Sequence, residues 1–285
     1  MYYLVYGLLY PFSLLPFAVL HRISDLAYLI LYYGVGYRKE VVMKNLAQAF
    51  PEKTEAERVA IAKKFYRNFT DNFIETIKLL SCSRAFLEKH FKADFSLVHQ
   101  VHATGRKAQL LVGHNFNWEM ALVRIPMDAR FKVLIVYLKL SSGIFERLIR
   151  FVRSRTGAFL LPATEMRQAI APHKNSQYLI ILGADQRPAD TTNVFWIPFL
   201  NRNTAFVKGP ENAARKENIP IIFCKFIQVK RGYYEMIFEL GPDNPAQLPE
   251  GEMTRQYAVF LEQFISQNPE MWLWSHRRWK EGDII

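Results

Sequence analysis

The sequence predicts an α/β protein: a mostly parallel central sheet flanked by helices, preceded by an N-terminal helical membrane anchor and a helical platform. Three observations predict it. From residue 105 onward, short apolar runs alternate with amphipathic ones, the pattern of strands exchanging with helices across a parallel sheet. Residues 38–90 keep a helical period instead. Residues 1–20 contain no Asp, Glu, Lys or Arg. As a helix rising about 1.5 Å per residue they just match a bilayer core of about 30 Å.

The first segment, residues 1–37, reads as an uncleaved anchor that spans the bilayer or enters one leaflet. It has no basic n-region, Pro11 and Pro16 interrupt the apolar run, and no small-residue cleavage site follows. Tyr2, Tyr3, Tyr6 and Tyr10 suit a membrane interface. The competing reading is a buried helix pair, with Leu26–Tyr37 as the second member. Arg22, Arg38, Lys39 and Lys44 follow the apolar run and put the body on the cytoplasmic side by the positive-inside rule.

The remaining chain, residues 38–285, divides into a helical platform at 38–104 and an α/β core at 105–285. Pro51 should close one platform helix. Thr54 and Glu57 then have the spacing of a capping box that opens the next. In the core, strands are expected at 108–113, 132–138, 158–162, 178–184, 220–228 and 233–240. Helices are expected at 117–127, 142–155, 164–173, 208–217 and 252–266. The last strand follows Lys230-Arg-Gly232 and reads as the second arm of a hairpin, hence antiparallel.

Thirty-seven Lys and Arg against 26 Asp and Glu give a net charge of +11. That excess suits an anionic partner, such as phospholipid headgroups or an acidic carrier protein, or simply a basic solvated surface. Nucleic acid is disfavoured because the charge is spread along the chain and no nucleic-acid-binding motif occurs. Cys82 and Cys224 are far apart and read as reduced core thiols, with neither a disulfide framework nor a zinc site.

The stretch Leu110–Glu119 is the candidate active centre. It breaks an apolar run at Gly113 and sets His114 five residues before Glu119. On one continuous helix that spacing puts them roughly 140° apart. They can share a site only if His114 ends a strand and Glu119 lies in the first turn of the next helix. Histidine is a general base near neutral pH, and a carboxylate on its other nitrogen fixes its tautomer. No G-x-S-x-G elbow and no H-E-x-x-H occurs. A base without a protein nucleophile suits direct attack by a substrate hydroxyl or amine; a structural histidine is the alternative.

Several segments together resemble the H-x4-D/E late acyltransferases of lipid A biosynthesis, the bacterial lauroyl/myristoyl transferase family. They are Arg38–Pro51, the Arg-rich Phe145–Gly157, Gly183-Ala-Asp-Gln-Arg187, Ile197–Thr204 with Lys208-Gly-Pro210, and Met271–Lys280. The resemblance implies a glycerolipid-acyltransferase-like fold on the cytoplasmic face of the inner membrane. It implies an enzyme that moves an acyl chain from acyl carrier protein, or from acyl-CoA, to a hydroxyl of an anionic lipid acceptor, a lipid A precursor. It needs no cofactor and no metal. Carried over by position, His114 is the base and Glu119 its partner, with Arg153 and Asp185 as supporting polar residues of the site; Arg153, Asp185, Arg187 and Asn117 are the candidate substrate-binding residues. Two departures bear on the acceptor: Arg187-Pro188 stands where the family has Asp, and Phe-Leu-Asn replaces Phe-Phe-Gly. An aminolipid or phospholipid acceptor is therefore the alternative, followed by a non-catalytic basic membrane-surface protein.

Overall fold

The computed structural model of the chain describes residues 1–280 and Asp283. Helices come first: α1 (Tyr2–Leu14), α2 (Phe17–Leu29) continued by a π-helical turn at Ile30–Val35, α3 (Lys39–Ala49), α4 (Glu55–Lys78) and α5 (Arg84–His90). A short strand β1 (Phe91–Ala93) and α6 (Ser96–Ala103) lead into the alternating part. That part runs β2 (Ala108–Val112), α7 (Trp118–Asp128), β3 (Lys132–Tyr137), α8 (Gly143–Ser154), β4 (Phe159–Pro162), α9 (Met166–Ile170) and β5 (Tyr178–Gly183). It continues with β6 (Val194–Phe199), β7 (Arg202–Val207), α10 (Gly209–Glu217), β8 (Ile221–Lys230), β9 (Tyr233–Leu240) and α11 (Glu252–Gln267).

Seven strands form one sheet in the order β1-β9-β8-β2-β5-β3-β4. From β8 to β4 all neighbours are parallel. Strand β9 returns antiparallel to β8, as the Lys230-Arg-Gly232 turn implied, and β1 pairs parallel to β9. Strand β2 lies mid-sheet with all five residues buried, as expected for a central strand of a parallel sheet.

The platform folds as its caps dictate. Helix α3 stops at Ala49, two residues before Pro51, since proline cannot extend a helix at its own N–H. In the capping box, Glu57 N donates to Thr54 Oγ1 at 3.3 Å and Thr54 N donates to Glu57 Oε2 at 2.7 Å. Helix α4 then buries Phe65 and Tyr66 completely, each such aromatic contributing about 1.5–3 kcal/mol.

Two expectations need correction. The helix expected across 164–173 is split into two 3₁₀ turns around the five-residue α9. Pro172 lies in the second turn, where its ring and missing N–H oppose an α-helix. The segment 194–207 was not expected to be strand, yet β6 and β7 make a separate antiparallel hairpin. Its turn residues Leu200 and Asn201 have φ of 50° and 62°. Leucine is not a turn-signalling residue at positive φ, so the sequence concealed the hairpin.

The N-terminal segment packs one side inward and leaves the other exposed. Leu20, Tyr28 and Tyr32 are buried on the inner side of α2 and its extension, which pack on α4. Outwardly, Tyr3, Leu4 and Leu8 are 74%, 66% and 61% exposed. Among the described residues no single helix is long and apolar enough to cross a bilayer; α1 and the Phe17–Val35 helix are bent by 118° at Leu15-Pro16.

Candidate active site

Strands β2 and β5 are parallel neighbours with Val112 beside Gly183. Two residues beyond each of these, the chain carries His114 and Asp185. The register therefore brings the two side chains together at the carboxyl end of the sheet, where sites of open α/β sheets lie. His114 Nδ1 is 2.6 Å from Asp185 Oδ1, and the His114 backbone N–H donates to Asp185 Oδ2 at 2.8 Å. Trp272 Nε1 donates to the same Oδ2 at 2.7 Å. Gly183 leaves room for the ring: a Cβ there would lie 3.0 Å from His114 Cε1.

Asp185 is 1% exposed. Burial opposes its charge, but the adjacent imidazole and the donors from His114 and Trp272 outweigh that and hold its pKa down at about 2. Burial likewise disfavours a charged His114, yet the Asp185 carboxylate raises its pKa above the ordinary 6.5. With Nδ1–H given to Asp185, neutral His114 presents the lone pair of Nε2. That is the tautomer a general base requires.

Glu119 lies in the first turn of α7, and it lines the same cleft as His114. Its hydrogen bonds go elsewhere, however. Arg153, from the last turn of α8, grips it with both arms, Nε to Oε2 at 2.8 Å and Nη2 to Oε1 at 2.6 Å. Trp118 Nε1 adds a third donor at 3.0 Å. Burial would raise the Glu119 pKa, but the Arg153 charge lowers it below the ordinary 4.5. The carboxylate that orients the imidazole is thus Asp185, and Glu119 is the counter-ion of Arg153. The H-x4-E spacing could not reveal this, because Asp185 reaches the site through strand pairing.

The cleft these residues line has a volume of about 400 Å³. Its polar part includes His114, Trp118, Glu119, Arg153 and Gln186; Leu122, Ile135, Ile149 and Ile181 make much of its apolar wall. Phe73, Leu138 and Leu140 also line it, and they are 53%, 65% and 46% exposed. An imidazole at one end and an exposed apolar rim suit a long apolar substrate. Among the described residues no group of three or more His, Cys, Asp or Glu side chains is arranged to hold a metal.

Two expected binding residues lie outside the cleft. Asn117 is fully buried; its Oδ1 accepts from Met120 N at 3.0 Å as the cap of α7, and its Nδ2 donates to Glu75 Oε2 at 2.9 Å. Arg187 pairs with Asp283, Nη2 to Oδ1 at 2.7 Å, and its backbone N–H donates to His276 Nε2 at 3.1 Å. Burial lowers the His276 pKa to about 4, as befits a neutral acceptor. The arginines of α8 also diverge. Arg153 enters the site, Arg147 stacks on Tyr2 of α1 at 3.9 Å, and Arg155, just past the helix, donates to the Leu79 and Cys82 carbonyls. Sequence reasoning missed the role of Trp272, which it noted only as part of the Met271–Lys280 segment, and that of Glu75, which carries no motif. Both cysteines are buried and unpaired.

The fold and the cleft define a class: an α/β protein with a carboxylate-held imidazole facing an apolar channel. The particular family follows from comparison with known proteins. The chain matches the bacterial lipid A biosynthesis acyltransferases over residues 1–281 and belongs to that family. It is therefore an acyltransferase of lipid A biosynthesis by family, acting between an acyl donor and a lipid acceptor. No curated protein matches it.

Proposed function

We propose that the protein transfers a fatty acyl chain from the thioester of acyl carrier protein to a hydroxyl of a lipid A precursor, at the cytoplasmic face of the inner membrane. His114 Nε2 accepts the hydroxyl proton as the acceptor oxygen attacks the thioester carbonyl. Asp185 holds Nδ1–H and stabilises the imidazolium that forms. The tetrahedral intermediate collapses, the carrier thiolate leaves, and it takes the proton back from His114. Arg153, fixed by Glu119, supplies positive charge beside the developing oxyanion, and N–H groups in the first turn of α7 complete that stabilisation. The acyl chain lies along the apolar wall of the cleft.

The single observation that carries this reading is the His114–Asp185 pair at the mouth of an apolar cleft. The exposed apolar residues of α1 and of the cleft rim support membrane attachment. The net charge of +11 supports an acidic carrier and an anionic acceptor. Arg187 is tied to Asp283 and does not line the cleft. Its departure from the family pattern is therefore a weak argument for an aminolipid or phospholipid acceptor. The decisive assay offers acyl-carrier thioesters and acyl-CoA to the purified protein with a panel of lipid acceptors. Transfer to a lipid A precursor that disappears in His114→Ala is expected; near-normal transfer by His114→Ala sinks the mechanism.

A further inference from the structure

Glu75, near the end of α4, has no solvent exposure. Three side chains converge on its carboxylate: His21 Nε2 at 2.8 Å on Oε1, and Asn117 Nδ2 at 2.9 Å with Tyr234 Oη at 2.7 Å on Oε2. They come from three separate parts of the chain, namely α2, the loop from His114 to Glu119, and β9. Asn117 in turn caps the helix that carries Glu119. A continuous path of hydrogen bonds therefore runs from α2 to the first turn of α7.

Helix α2 is fastened beside this path by a second set of contacts. Arg231 pairs with Asp25 of α2 at 2.8 Å and with Asp71 of α4 at 2.7 Å, and donates to the His21 carbonyl at 3.1 Å. Gly232 lies so close that a Cβ would sit 2.8 Å from the rings of His21 and Phe17. The opposite side of the same segment carries Leu26, Leu29 and Ile30, all more than half exposed. A fully buried carboxylate tolerates few arrangements, because each missing donor leaves charge unsatisfied in a low-dielectric interior. Glu75 thus demands that α2, the loop and β9 be in place together.

We infer that Glu75 is a positioning residue for the reaction: through Asn117 it sets the catalytic loop, and through His21 it makes that setting depend on the seating of α2. The inference rests on the acyl-transfer reading for its kinetic readout and on the fold alone for its exchange readout. Removing Glu75 itself would orphan three buried groups, so the test uses His21, at the edge of the network with its side chain 13% exposed.

Hydrogen–deuterium exchange of residues 114–121 and transfer kinetics are measured on the full chain, as wild type, His21→Ala and His21→Gln. In His21→Ala, exchange across 114–121 should quicken and kcat should fall roughly ten- to hundredfold, with KM for the thioester within about twofold. His21→Gln keeps an N–H where Nε2 stood and should recover both. Loosening confined to α2, an unchanged kcat in an active preparation, or no recovery in His21→Gln overturns the inference. A wild-type protein without transfer activity overturns the acyl-transfer reading instead, and exchange alone then decides the coupling.

Discussion

Asp185 takes both the ring and the backbone of His114: Oδ1 faces Nδ1 at 2.6 Å, and Oδ2 accepts the N–H of the same residue at 2.8 Å. One carboxylate therefore sets the imidazole's tautomer and anchors the loop that presents it. Asp185→Asn should leave the fold intact and lower kcat by roughly 10²–10⁴-fold. The base must be neutral to act, so transfer rises with pH through the His114 pKa. Asp185 raises that pKa and burial lowers it. The inflection in Asp185→Asn should consequently move to lower pH, which a kcat–pH profile reads directly.

Glu119 and Arg153 are 8% and 16% exposed at their side chains and joined by two hydrogen bonds. Glu119→Ala strands a buried guanidinium and should cost about 3–5 kcal/mol, seen in denaturant unfolding. Arg153→Ala should cost a similar amount. The double variant should fall short of the sum by about 0.5–3 kcal/mol; strict additivity would contradict the pairing. All three should transfer poorly.

Gly183 carries a prediction about distance. A methyl group there would meet His114 Cε1 at 3.0 Å, and the ring cannot retreat without lengthening its bond to Asp185. Gly183→Ala should lower kcat at least about tenfold with the thermal midpoint nearly unchanged.

Exposed Leu4 and Leu8 give a prediction at the other end of the molecule. Placing Asp at both should weaken co-sedimentation with vesicles of anionic phospholipid by at least about tenfold. Unchanged binding would remove α1 from the membrane contact.

The core of the fold was legible because its strands are short apolar runs bounded by polar or glycine-containing breaks, and all six expected strands form. The capping box at Thr54 and the stop before Pro51 are local chemistry, visible in four residues. The hairpin at 194–207 was not visible, since its turn uses Leu200 at positive φ. At the site, His114 and Glu119 do line one cleft, as a strand–loop–helix junction requires. Who pairs with whom was hidden. The sequence shows Asp185 closing one apolar run and His114 closing another, but only the β2–β5 register makes them neighbours. Asn117 looked like a site residue by position alone, and Glu75, which explains its burial, lies 42 residues away.

Trp272 imposes an order in time on the assembly of the site. It completes the hydrogen bonds to Asp185, pairs across to Asn115, and follows Met271, whose carbonyl accepts from Phe116 N. A nascent chain that has emerged only as far as β9 already holds every strand of the sheet, with both His114 and Asp185. Their carboxylate still lacks its indole donor and their loop its backing. That setting therefore arrives only after the whole sheet has been synthesised, and a product truncated after β9 carries both side chains without the contacts that hold them.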